Sequence, residues 1–91
     1  MKSKVQVIIS GRVQGVWFRA NTKNKAEQLG ITGWVRNTND GKVEALFEGE
    51  DDNIKEMIEW CKHGPTMAKV TDVRVKRNPD QDECNSFSIK Y

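Results

Sequence analysis

Reactive side chains are scarce in this sequence. It has one histidine, His63, and two cysteines, Cys61 and Cys84. The cysteines do not form a CxxC pair, and two thiols with one imidazole make a poor zinc set. The chain is therefore read as holding no metal and no cofactor. Cys61 is read as a buried thiol and Cys84 as a loop thiol, with a disulfide between them left open. His63 falls at the end of a predicted helix, where a cation suits the dipole, and is read as a surface residue. Charge of one sign is also lacking: 15 Lys+Arg against 13 Asp+Glu leave a net charge of +2. That is too little to argue for nucleic acid. It suits a small anionic substrate, for which a local positive site matters more than the total. No apolar run reaches the length of a signal-peptide core or a bilayer span, so the expectation is a cytoplasmic protein without a membrane partner. The nucleotide-binding pattern GxxxxGK[ST] is absent. Ninety-one residues make a single domain, 1–91, with a thin core, expected to act as a monomer.

What is present is clear periodicity. Val5, Val7 and Ile9 alternate, predicting a strand over 4–10 that Gly11 ends. Residues 11–16 read as a loop. Phe18, Thr22, Ala26 and Leu29 then lie on one helical stripe, stopped by Gly30. A second strand is predicted over 32–38, a hairpin turn at Asn39-Asp40-Gly41, and a third strand from Lys42 to Glu48 with Val43, Ala45 and Phe47 facing inward. Asp51 and Asp52 open a second helix, whose stripe is Ile54, Met57, Ile58 and Cys61 and whose stop is Gly64-Pro65. Val70, Val73 and Val75 mark a strand over 69–77. Asn78 to Asn85 reads as a polar, mobile loop, and Phe87, Ile89 and Tyr91 alternate in a short last strand. Trp34 and Trp60 are read as core residues. The order implies an α+β fold, the ferredoxin-like βαββαβ sandwich, with two helices packed on a largely antiparallel sheet of four to five strands.

The informative stretch is Gly11-Arg12-Val13-Gln14-Gly15-Val16-Trp17-Phe18-Arg19. At a strand–loop–helix junction the first helical N–H groups have no internal partner and face the positive end of the dipole. Glycine lets the main chain curl until several N–H groups converge, which makes a cradle for a phosphate. Arg19, in the first helical turn, can fold its planar fork of donors over the same anion. The alternative is a plain strand-to-helix turn with Arg19 on a solvated face. Asn37, at the end of the second strand, carries a donor and an acceptor and can hold a water, or can simply bond the turn backbone. Trp17 can line the organic side of such a pocket or cover the start of the helix.

Residues 11–19 resemble the first signature of the acylphosphatase family, and Gly33-Trp34-Val35-Arg36-Asn37-Thr38 with Asp40-Gly41 and Val43-Glu44 resembles the second. The similarity continues through Gly64-Pro65, Ala68-Lys69-Val70 and the tail Phe87 to Tyr91, so it covers essentially the whole chain. The family fold is the same sandwich. The resemblance implies hydrolysis of the carboxyl–phosphate bond of small-molecule acyl phosphates by in-line attack of a water. It implies that the backbone amides of Arg12, Val13, Gln14, Gly15 and Val16 bind the phosphate together with the side chain of Arg19. It implies that Asn37 positions the water, that no metal or covalent phosphoenzyme is used, and that inorganic phosphate is both product and competitive inhibitor. Trp17 stands where the family varies, which bears on acyl-group preference.

Two rival readings differ in class. Ferredoxin-like domains also bind RNA, but they stack bases on aromatics of the central strands. The strand over 4–10 has no aromatic and the third has only Phe47, at a core position. The other rival is a non-catalytic regulatory domain that binds phosphate or an acyl phosphate. The presence of both Arg19 and Asn37 in a chain this short favours an enzyme.

Overall fold

The computed structural model describes residues 2–79 and 84–90. Its elements are β1 (Lys2–Arg12), α1 (Phe18–Gln28), β2 (Thr32–Asn37), β3 (Val43–Glu50), α2 (Asp51–His63), β4 (Lys69–Arg77) and β5 (Phe87–Lys90). Five strands form one sheet in the order β4-β1-β3-β2-β5. All neighbours are antiparallel except β2 and β5, which are parallel. This is the expected two-helix α+β sandwich. Because β3 runs antiparallel to both β1 and β2, those two strands point the same way. Arg12 and Asn37 therefore end at the same edge of the sheet.

The predicted inward residues form the core. Val5, Val7 and Ile9 pair across β1–β3 with Phe47, Ala45 and Val43, and all six are fully buried. The helices cover this face with Phe18 and Ala26 from α1 and Ile54, Met57, Ile58 and Cys61 from α2. Phe18 meets Trp60 edge-on at 5.5 Å, and Phe47 stacks on Phe87 at 6.0 Å. Burial pushes the Cys61 thiol up to about 12, so it stays protonated and unreactive. Cys61 is not in a disulfide and neither is Cys84, which is half-buried. His63 ends α2, exposed.

Three details depart from the sequence reading. β1 does not stop before Gly11: its register with β4 shifts between Ser10 and Gly11, and pairing then continues through Arg12 opposite Lys69. A bulge of this kind re-aims a strand end without terminating it. β3 is buried on both faces, since Glu44 and Leu46 lie under cover as well as the predicted alternate set. Trp34 is buried, but on the face away from the helices, where Lys90 lies 4.6 Å and Arg36 6.0 Å from its ring. On that face Glu44 accepts hydrogen bonds from Gln6 and from Arg36 Nε, the latter at 2.7 Å. Long polar side chains thus roof an otherwise open sheet, which alternation alone does not reveal. Part of the loop expected over 78–85, residues 80–83, and the tail residue Tyr91 lie outside the described residues.

One backbone position controls how closely β2 approaches β3. Gly33 has φ +141, and a Cβ there would lie 1.8 Å from the Leu46 carbonyl oxygen. Gly33→Ala is expected to cost about 3 kcal/mol of stability in denaturant unfolding. Gly30→Ala, at φ +67 with open space around the added carbon, is expected to cost only about 1–2 kcal/mol. Equal losses at the two positions would contradict this account of the strand contact.

Candidate active site

The edge where β1 and β2 both end carries a concavity of about 250 Å³. Val13, Gly15, Trp17, Phe18, Arg19, Ala20, Asn37 and Ile89 line it. The two side chains singled out in the sequence, Arg19 and Asn37, thus share one cavity although 18 positions separate them in the chain. Arg19 is in the first turn of α1, and the N-terminal end of that helix forms one wall. No acidic residue occupies the first turn to neutralise the helix dipole. Among the described lining residues the guanidinium is the single charged group, with no carboxylate and no imidazole.

The loop between β1 and α1 supplies bare main chain. Gly15 has φ +72 and nothing lies within 4 Å of where its Cβ would be. A side chain here would be strained whatever the space around it. Trp17 follows as the N-cap of α1 with φ 64, and its side chain makes no capping bond. Instead Asn21, one turn on, donates to the Trp17 carbonyl from its backbone N at 3.0 Å and from its side-chain amide at 2.8 Å. The loop therefore enters the helix through a left-handed turn at a bulky residue.

The other expected loop residues take different places. Arg12 is the paired end of β1 and is exposed. Val16 is buried and faces a neighbouring groove. Gln14 has a role not foreseen from the sequence. Its side-chain amide donates to the carbonyl oxygens of Thr38, at 2.8 Å, and Lys42, at 2.9 Å. Those two carbonyls belong to the hairpin that follows Asn37. Gln14 therefore ties the cradle loop to the element that carries Asn37. A loop glutamine with two donors was a visible signal, but its targets are 24 and 28 positions away and sequence alone does not supply them.

The hairpin is itself stiff. Thr38 N donates to the Lys42 carbonyl at 2.8 Å, and Lys42 N donates to Thr38 Oγ1 at 3.0 Å. The Thr38 hydroxyl also bonds Asp40 and, with help from Lys42, holds the Asp40 carboxyl below its usual range. The stem carrying Asn37 is thereby fixed on both sides. The arrangement brings loop residues Val13 and Gly15, the start of α1, Arg19 and Asn37 to one space. That set is suited to an oxyanion with a water beside it. Among the described residues, no group of three or more His, Cys, Asp or Glu side chains could hold a metal ion.

Comparison with known proteins shows the family to which the chain is similar. The sequence model of the acylphosphatase family matches residues 5–89. The chain is 56% identical over 87 residues to an acylphosphatase of Trichormus variabilis, covering 96% of this chain and 85% of that protein. It is 49% identical over 90 residues to one from Syntrophobacter fumaroxidans, covering 99% and 93%. The crystal structure of acylphosphatase from Bacillus subtilis superposes with a TM-score of 0.93 at 37% identity, over the full length of both chains.

Replacing Gln14 with Leu keeps its bulk and removes both donors. Turnover is expected to fall about tenfold as Asn37 loses its registry with the loop, while inhibition by inorganic phosphate changes little. A matched loss in phosphate affinity, or none in turnover, would show that the tie does not position Asn37.

Proposed function

The chain belongs to the acylphosphatase family, and we propose that it hydrolyses acyl phosphates through the Arg19 guanidinium, the main chain of the loop 12–16 and the Asn37 carboxamide. The observation that carries this reading is the shared cavity: Gly15 backbone, Arg19 and Asn37 line one space of about 250 Å³. A phosphoryl group in the loop receives N–H donors from bare backbone and from the start of α1. The guanidinium fork meets two of its oxygens. Charge on the three equatorial oxygens grows or spreads in the transition state, and donors already fixed in place stabilise it without rearranging.

Asn37 orients the attacking water. Its amide is neutral and holds the water by donor and acceptor together without competing as an anion for Arg19. Attack at phosphorus breaks the bond between phosphorus and the bridging oxygen, releasing a carboxylate and inorganic phosphate. The conjugate acid of that leaving group has a pKa of about 4, so it departs without a proton from the protein. The cavity's lack of a carboxylate or imidazole among its described lining residues is consistent with a reaction needing no general acid. The proton lost by the water passes to a phosphate oxygen of the substrate. Product phosphate, bound in the same cradle, competes with substrate.

Catalysis is favoured over passive binding of phosphate because a sensor needs the cradle alone, whereas Asn37 adds a group placed for water. No described helix is long and apolar enough to cross a membrane. We place the protein in the cytoplasm as a monomer, in keeping with its small, evenly charged chain.

Arg19→Ala is expected to lower kcat/KM about a thousandfold and to abolish inhibition by phosphate, measured with a simple acyl phosphate and chelator present. Asn37→Ala is expected to lower kcat about a hundredfold with phosphate inhibition kept. Full activity in either variant removes that residue from the reaction. Apart from ionisation of the substrate's own phosphate, the wild-type rate is expected to be flat between about pH 6 and 8, because no protein acid or base titrates in the reaction. A bell-shaped profile would demand an ionising protein group.

A further inference from the structure

A second concavity, of about 280 Å³, adjoins the site and shares Trp17 with it. Its walls are Val16, Trp17, Asn21, Pro65, Thr66 and Met67. Two observations make this groove unusual. Trp17 and Met67 are large apolar side chains left 75% and 62% exposed in a chain whose other bulky residues are mostly covered. Trp17 also holds its backbone at φ 64, in the left-handed region that a side chain of its size avoids. Burial explains neither the exposure nor the strain. Strain of this sort persists where a site requires it.

The topology says which side of the phosphate the groove occupies. In the strand order β4-β1-β3-β2-β5, Met67 immediately precedes β4 and Asn37 ends β2. The cradle loop leaves β1, between them. Met67 and Asn37 thus lie on opposite flanks of the loop, and Trp17 is the ridge shared by the two concavities. In-line displacement puts the leaving group opposite the attacking water. With the water on the Asn37 flank, the departing carboxylate points toward Trp17.

We propose that the Trp17–Met67 groove is the acyl subsite and that it selects aromatic or extended apolar acyl groups over acetyl. This rests on the reading of Arg19 and Asn37 given above. The indole offers a flat face for an aromatic ring, Met67 adapts to its edge, and neither introduces charge. An apolar cavity of about 150 Å³ suffices for benzene, so the groove has room for a benzoyl ring. The carboxylate end of the acyl group remains at the cradle, next to the phosphate it leaves.

The test is the ratio of kcat/KM for benzoyl phosphate to that for acetyl phosphate, compared among variants so that the intrinsic reactivity of the two compounds cancels. Trp17→Gly removes the ring and accepts the left-handed backbone without strain, and Met67→Ser acts on an exposed loop position remote from the fold's core. The ratio is expected to fall about tenfold in Trp17→Gly and severalfold in Met67→Ser, and to hold in Ile89→Ala, which alters the Asn37 flank. A ratio unchanged in the first two variants, or changed only in Ile89→Ala, overturns the proposal. If the wild-type protein hydrolyses neither compound, the reading of the active site fails instead, so the two failures are distinguishable.

Discussion

Gln14 donates from its side-chain Nε2 to two carbonyl oxygens of the hairpin beside it, those of Thr38 and Lys42. The registry between the two halves of the site rests on that tie. The loop that presents bare backbone belongs to one βα junction and the carboxamide belongs to a separate β-hairpin. Sheet pairing brings their strands to the same edge, with β3 between them. It does not by itself hold a loop tip against a turn. Two hydrogen bonds of 2.8 and 2.9 Å do so. The two carbonyls also accept bonds within the hairpin, from Gly41 N and Thr38 N, so the tie adds to a turn that is already closed. Positional error of an ångström between a nucleophile and its target is costly, so a stiff connection between the two halves is worth more than its modest contribution to folding.

The same economy runs through the chemistry. An acyl phosphate carries its own good leaving group, so the protein needs donors and placement rather than a tuned acid. Gly15 leaves bare backbone at the cavity, α1 begins there, and Arg19 comes from its first turn. The core beneath is tightly paired, with large and small residues facing each other along β1 and β3. Such a base lets a small domain carry a left-handed Trp17 and a glycine-dependent loop at its rim.

Much of this was legible in the sequence. Period-two runs placed Val5, Val7 and Ile9 on one face, and the stripe Ile54, Met57, Ile58 and Cys61 was buried as expected. Those patterns are local, and local periodicity survives folding. Arg19 and Asn37 were also marked out beforehand as candidates, with their roles implied by the resemblance to the acylphosphatase family rather than by local chemistry alone. What could not be read was long-range. The strand continuing through Gly11 depends on its partner β4. Trp34 is buried on the other face because Lys90 comes to lie over it from β5, a strand 53 residues on at Phe87. The targets of Gln14 and the meeting of Val16 with Met67 across the groove are likewise products of topology.

The central claim is that one axis runs from the Asn37 carboxamide through a phosphoryl group in the cradle. A crystal structure of the protein with a planar metal fluoride or vanadate, mimicking phosphorus in mid-transfer, tests it most directly. The expected result has the equatorial ligands bonded by Arg19 and loop N–H groups, and one apical oxygen bonded to Asn37. An anion seated away from the loop, or seated there with Asn37 turned from its apical position, would contradict the account.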